Sequence, residues 1–125
     1  MLKFLLVTLG GAIGSGARYL CASTLQTATG SGFPIGTLAV NVIGSFVICA
    51  IMHLGTTANI ISPAWRLFLT TGIMGGFTTY SAFDYDTYRY VQQGAWAPAA
   101  LNVGLTLAAC FLAGMAGDAV ARLIA

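Results

Sequence analysis

The chemistry this sequence can best support is ion ligation. The stretch Gly75-Gly76-Phe77-Thr78-Thr79-Tyr80-Ser81-Ala82-Phe83 lies inside a long apolar run. Its paired glycines and paired threonines are poor helix formers. Tyr80 and Phe83, three residues apart, share one side if the helix resumes behind them. A helix interrupted in lipid frees backbone carbonyls and amides. These are tolerated only where protein buries them or a polar cavity receives them. Broken helices at mid-membrane depth are where transporters and channels hold ions. Carbonyls released from Gly75 and Thr78 make an oxygen-only donor set without a carboxylate, which suits a hard monovalent cation. The helix half that restarts after the break turns its positive end inward and favours a nearby anion.

An anion crossing such a site needs donors that replace its hydration without trapping it. Asn41 and the hydroxyls of Thr79, Ser81 and Thr106 are candidates, and no Lys or Arg lies near the break in sequence. Tyr80 and Phe83 can present ring edges, the positive part of the aromatic quadrupole. Each feature has a plainer reading. Asn41 in an apolar helix can serve as interhelical glue worth roughly 0.6 kcal/mol, and Tyr80 and Phe83 can be packing aromatics. Thr37 lies one turn before Asn41 on the same helix face. Asn102, Thr106 and Cys110 recur every fourth residue near the C-terminus and form a slowly drifting polar stripe, beside small residues at Ala109, Ala113 and Gly117.

The elements that must position these residues are membrane helices. The chain has 125 residues, 58% of them hydrophobic and 6% charged. A soluble domain carries about 25% charged residues, so this chain lacks the polar surface to dissolve. Charge this sparse also excludes nucleic-acid binding. Four spans of about 20 residues use most of the length and make one all-α transmembrane domain. The expected spans are 3–25, 36–54, 65–92 with a break near 75–79, and 98–123, joined by loops at 26–35 and 55–63. The first apolar run lacks a strongly basic leader and an exit of the A-x-A type, so it reads as a helix rather than a cleavable signal. Cys21, Cys49 and Cys110 suggest neither a disulfide framework nor a C-x-x-C site. No catalytic or nucleotide-binding arrangement is present, and no organic cofactor is implied.

Gly10 with Gly14 and Gly11 with Ser15 give helix one a close-packing face. Arg18 either snorkels to the interface or stands at a pore mouth, where it concentrates anions. His53 is expected at the interface. Asp86 is expected to pair with Arg89, and Asp118 with Arg122. Four spans place both termini on one side, with Lys3, Arg66 and Arg122 there and Arg18 and Arg89 towards the other. Three against two is too weak a bias for the positive-inside rule to fix an orientation. Such a chain can insert both ways, and two opposed copies can pair as an antiparallel, dual-topology dimer.

Taken together, these residues resemble the small bacterial fluoride channels, the Fluc or CrcB family, over nearly the whole chain. The resemblance rests on Gly36-Thr37-Leu38-Ala39-Val40-Asn41 and on Gly75-Gly76-Phe77-Thr78-Thr79-Tyr80-Ser81-Ala82-Phe83, with Arg18 after a glycine-rich first helix. It implies an antiparallel homodimer in the bacterial cytoplasmic membrane with two fluoride pores and one central structural sodium ion. Some family members instead pair unlike chains. On this match Gly75 and Thr78 give backbone oxygens to sodium, and Asn41 hydrogen-bonds fluoride. Tyr80 and Phe83 occupy the positions of the family's phenylalanine pair. Arg18 sits by the aqueous vestibule, and Thr106 lies on the helix-four track with Asn102. Tyr80 departs from the usual Phe, Ala82 from a usual Thr, Asp84 from a small residue and Asp86 from a usual Glu.

The expected function is therefore passive, fluoride-selective export from the cytoplasm, with no enzymatic step. Two alternatives use the same composition: a four-helix proton-coupled multidrug exporter and a non-transporting accessory subunit. The first needs a membrane-buried carboxylate to trade protons for drug, and the three Asp residues cluster near span ends.

Overall fold

The computed structural model describes all 125 residues, and every regular element is helical. Helix α1 (Leu2–Thr29) ends at Gly30, whose φ of 57° is left-handed and whose N–H caps the Gln26 carbonyl. Helix α2 (Ile35–Met52) continues through a π-helical turn, His53–Thr57. A third crossing follows in pieces: α3 (Pro63–Leu67), a π-helical stretch Phe68–Met74, α4 (Gly75–Phe77), two extended residues, and α5 (Tyr80–Gln92). Helix α6 (Trp96–Ile124) closes the chain. Helices α1, α2 with its π turn, and α6 are each long and apolar enough to cross a membrane. The third crossing is interrupted, and its second half is polar.

The expected elements exist, with shifted ends. Helix one runs past Leu25 because Gln26 is a good helix former and its amide ties down the chain reversal. Its Nε2 donates to the carbonyls of Ser31 and Phe33 at 2.6 and 3.0 Å, and its Oε1 accepts from Gly36 N–H at 3.0 Å. Helix two passes Leu54 because Arg66 reaches across to the Gly55 carbonyl at 2.8 Å and satisfies a backbone group that the turn exposes. Helix α6 begins two residues before Pro98, which a first turn tolerates because a backbone N–H there would have no helical partner to lose.

The break is shorter than the sequence suggests. Gly75–Phe77 is helical, and only Thr78 and Thr79 are extended, with ψ of 157° and 112°. The glycines upstream serve packing rather than interruption. A side chain on Gly76 would run into the Gly11 carbonyl and the Ser15 amide, and one on Gly72 into Gly10. Gly10 and Gly14 in turn meet the backbone around Gly72, Ile73 and Phe77. The two small-residue pairs of helix one thus grip the front half of the third crossing, as small-x-x-x-small faces do in lipid.

The remaining contacts define an up-down-up-down bundle. Gly36 touches the Ala22 backbone at the α1–α2 reversal, and Gly44 faces the Thr78 side chain. Gly117 presses on the Phe46 backbone and Gly114 on Cys49 Sγ, which seats α6 against α2. His53 Nδ1 and Asp118 Oδ1 lie 2.8 Å apart, and Asp118 Oδ2 accepts from Arg122 Nε at 2.8 Å. The expected Asp118–Arg122 pair forms, and His53 joins it as a tie between α2 and α6 rather than standing alone at the interface. Asp86 does not pair with Arg89. Its Oδ2 accepts instead from Thr37 Oγ1 at 2.9 Å, a contact between helices that competes well with an exposed one-turn ion pair worth only a few tenths of a kcal/mol.

Only 18 of 125 residues are buried within the chain, and its surface is 7379 Å². A soluble globule of this mass exposes about 6,300 Å². The excess is largely apolar, with Leu2, Phe4, Leu5, Leu9 and Ile13 all exposed along α1. Such a face is compatible with lipid or with another protein surface, not with water.

Candidate ion site

The centre of the molecule is the meeting of Asn41 with the two extended residues. Asn41 is buried on α2. Its Oδ1 accepts from Thr79 N–H at 2.8 Å, and its Nδ2 donates to the Thr79 carbonyl at 3.0 Å. One side-chain amide therefore satisfies both backbone groups of the residue that most needs it. A primary amide carries two hydrogens on nitrogen, and this arrangement uses one of them.

Thr79 then starts α5. Its Oγ1 accepts from Ala82 N–H at 3.2 Å, which makes it the N-cap, and lies 3.3 Å from Ser81 Oγ. In a continuous α-helix the carbonyl of Gly75 would pair with Thr79 N–H, and that of Thr78 with Ala82 N–H. Both donors are diverted, one to Asn41 and one to the Thr79 hydroxyl. The two carbonyls expected to bind an alkali ion are thus the two whose helical partners have been taken. Gly75 itself is exposed and Thr78 half-buried.

Beside this junction runs a cleft of about 330 Å³ between α2, α5 and α6. Asn41, Thr78, Thr79, Tyr80, Phe83 and Thr106 all line it, together with Ser45, Ile48, Leu107 and Cys110. Phe83 is 7% exposed and Tyr80 75% exposed. Their rings meet edge to face, 5.5 Å between centroids at 61°. Ser45 is the residue that sequence reasoning missed. Its Oγ donates to the Asn41 carbonyl at 2.7 Å, and its spacing four after Asn41 and eight after Thr37 was a legible signal.

Other expected residues stand elsewhere. Thr37 opens instead onto a polar cleft of about 490 Å³ at the loop end, lined also by Gln26, Asp86, Arg89, Tyr90 and Gln93. Asn102 is 1% exposed and donates to Thr87 Oγ1 at 2.9 Å. It joins α6 to α5 and lines neither cleft. Arg18 is half-buried on α1 and lines neither. Ser81 is exposed on the outer side of the α5 cap. Below the central cleft a wider groove of about 690 Å³ shares Ser45, Ile48 and Cys110 with it and ends at His53 and Asp118.

Fold and site together define a multi-pass helical membrane protein built around an interrupted helix. Residues 5–118 match the family described as CrcB-like protein, Camphor Resistance (CrcB), and the chain belongs to that family. Among its relatives is the fluoride-specific ion channel FluC of Sorangium cellulosum (strain So ce56), 48% identical over 122 residues, or 98% of this chain and 96% of the relative. The protein of the same name from Anaeromyxobacter sp. (strain K) is 47% identical over 125 residues, covering 100% of this chain and 99% of the relative. That of Geobacter sulfurreducens (strain ATCC 51573 / DSM 12127 / PCA) is 43% identical over 122 residues, 98% of each. The family comprises channels rather than enzymes, and this chain is not an enzyme.

Proposed function

We propose that this protein is a passive, fluoride-selective channel of the bacterial cytoplasmic membrane, through which fluoride leaves the cell. The observation that carries the reading is the Asn41–Thr79 junction in a chain nearly half identical to fluoride-specific channels. The second Nδ2 hydrogen of Asn41 is left for the cleft. It is a neutral donor, with the rings of Tyr80 and Phe83 and the hydroxyl of Thr106 on the same walls. Neutral donors and ring edges compensate part of a small anion's hydration while letting it go. No carboxylate lines that cleft, which removes the group that proton-coupled drug export requires.

In this reading the chain is a single transmembrane domain, and two copies inserted oppositely pair as an antiparallel homodimer, with lipid around them. The exposed apolar residues of α1 and the exposed Tyr80 of α5 leave surface for lipid and for a second copy. A sodium ion fits the junction chemically, because neutral carbonyl oxygens suit a weakly binding hard cation. The carbonyls of Gly75 and Thr78, contributed by both copies, would hold it. When bound it supplies a fixed positive charge at the join between subunits.

The test is purified protein alone in liposomes. Fluoride release followed by electrode is expected to be fast and chloride release negligible. Absence of fluoride release from the single purified chain would refute the proposal. Drug-driven proton flux in its place would favour an exporter, and no flux of any kind an accessory subunit.

A further inference from the structure

The amide that faces the anion cleft is also the group that keeps the Gly75 carbonyl out of its helix. A backbone carbonyl at an α-helical position is available to a cation only if its i+4 amide is occupied elsewhere. At Gly75 that amide belongs to Thr79, and Asn41 Oδ1 holds it at 2.8 Å. At Thr78 the amide belongs to Ala82, and Thr79 Oγ1 holds it at 3.2 Å. Asn41 Nδ2 further fixes the Thr79 carbonyl at 3.0 Å, so the residue is clamped on both sides of its peptide unit. Thr78, between the two diverted amides, is held in turn by its Oγ1 on the Met74 carbonyl at 3.0 Å and by its methyl against Gly44.

We propose that Asn41 and Thr79 are positioning residues for an alkali-cation site: they take the two N–H groups that would otherwise close the Gly75 and Thr78 carbonyls into a continuous helix. This rests on the sodium reading above and assigns Asn41 a second duty, separate from any contact with the permeating ion. Without an acceptor at Asn41, Thr79 N–H is an unsatisfied buried donor whose nearest remedy is the Gly75 carbonyl. A donor left unpaired in that buried setting favours re-forming the helical bond at the cation's expense. One amide therefore serves both ions. Linkage then makes the effect mutual: occupancy of either site alters affinity at the other by the same factor.

The experiment reads cation affinity without conduction. Thermal unfolding of the purified dimer in detergent is followed against NaCl concentration, with choline chloride holding ionic strength constant. Sodium is expected to raise the midpoint of the unsubstituted protein. Asn41→Leu is expected to shift the half-effective sodium concentration upward at least tenfold, and Thr79→Val, which removes the cap on Ala82 and the contact with Ser81 Oγ but leaves both Asn41 bonds, by a smaller factor. Phe83→Ile alters the anion cleft without touching either diverted amide and is expected to leave the sodium midpoint within twofold. Should Asn41→Leu not yield a folded dimer, Thr79→Val decides. An unshifted sodium midpoint in Asn41→Leu, or in Thr79→Val when it alone can be measured, overturns the proposal while the sodium reading stands. An unsubstituted protein indifferent to sodium removes both.

Discussion

Asn41 shows why a polar residue in a membrane helix has to be read by what it leaves unsatisfied. Its oxygen and one hydrogen are committed to Thr79, so it is interhelical glue, and its remaining hydrogen is what the channel reading uses. Asn41→Ala removes both duties at once, so flux and assembly are read together. Asn41→Ala is expected to lower fluoride flux at least tenfold in liposomes while the dimer still elutes at its normal position on size exclusion. Flux within twofold of the original would take Asn41 out of the path. Phe83→Ile keeps the wall apolar and removes the ring edge. It is expected to reduce flux strongly, and undiminished flux would leave Phe83, 7% exposed, as packing alone. At this scale the sequence named Asn41, Thr79, Tyr80, Phe83 and Thr106 as candidates, and it is the structure that brings those five to one cleft; spacing alone left Tyr80 and Phe83 as packing aromatics. It did not reveal that Asn102 turns to Thr87, or that Thr37 turns to Asp86, because helical spacing gives a face and not the neighbour that meets it. Fluoride as the ion was legible only through the family resemblance.

Among the elements, the third crossing was the easiest to find and the hardest to delimit. Its glycines lowered helix propensity over Gly72–Gly76, yet the chain stays helical there because α1 packs against it more closely than any side chain allows. Propensity is a weak prior that such packing overrides. This gives a sharp contrast between two conservative changes. Gly76→Ala places a methyl against the Gly11 carbonyl and the Ser15 amide, both backbone. It is expected to destabilise by about 1–3 kcal/mol, as overpacking does, and to lower the melting temperature of the purified protein. Gly16→Ala meets nothing within 4 Å and is expected to be neutral or stabilising by up to about 1 kcal/mol. Equal melting of the two variants would show that α1 does not grip the third crossing as described. The shifts at Gln26 and Gly55 have a common cause: in both, a side chain distant in sequence satisfies backbone groups at a helix end, and no local pattern announces that.

For the whole molecule the decisive numbers are small ones. Three basic residues at one end against two at the other give the translocation machinery little to read. The chain's surface of 7379 Å² exceeds what a monomer of its mass exposes, about 6,300 Å². The first leaves both orientations open to insertion, and the second leaves apolar surface for lipid or for another copy. A reporter fused to the C-terminus is expected to give signal from both sides of the membrane in one culture. Adding three lysines after Ala125 is expected to bias insertion and depress fluoride flux, and co-expression with an oppositely biased copy to restore it. Reporter signal from a single side in the unmodified protein would exclude the antiparallel pair. Apolar run lengths made α1, α2 and α6 legible, whereas the third crossing, with its polar second half, was read from its interruption. The tie of α2 to α6 through His53 and Asp118 was not legible, since nothing local in sequence links positions so far apart.

The two halves of the third crossing lean on different neighbours. Residues Phe68–Phe77 rest mainly on α1, with α2 alongside, whereas Tyr80–Gln92 packs mainly on α6. Thr78 and Thr79 thus form a joint between two stiff arms rather than a defect in one rod. The second arm, thirteen residues long, is moored along its length by Thr37 on Asp86, Asn102 on Thr87 and Tyr90 on the Gly32 carbonyl, so bending at the joint would have to strain those three bonds.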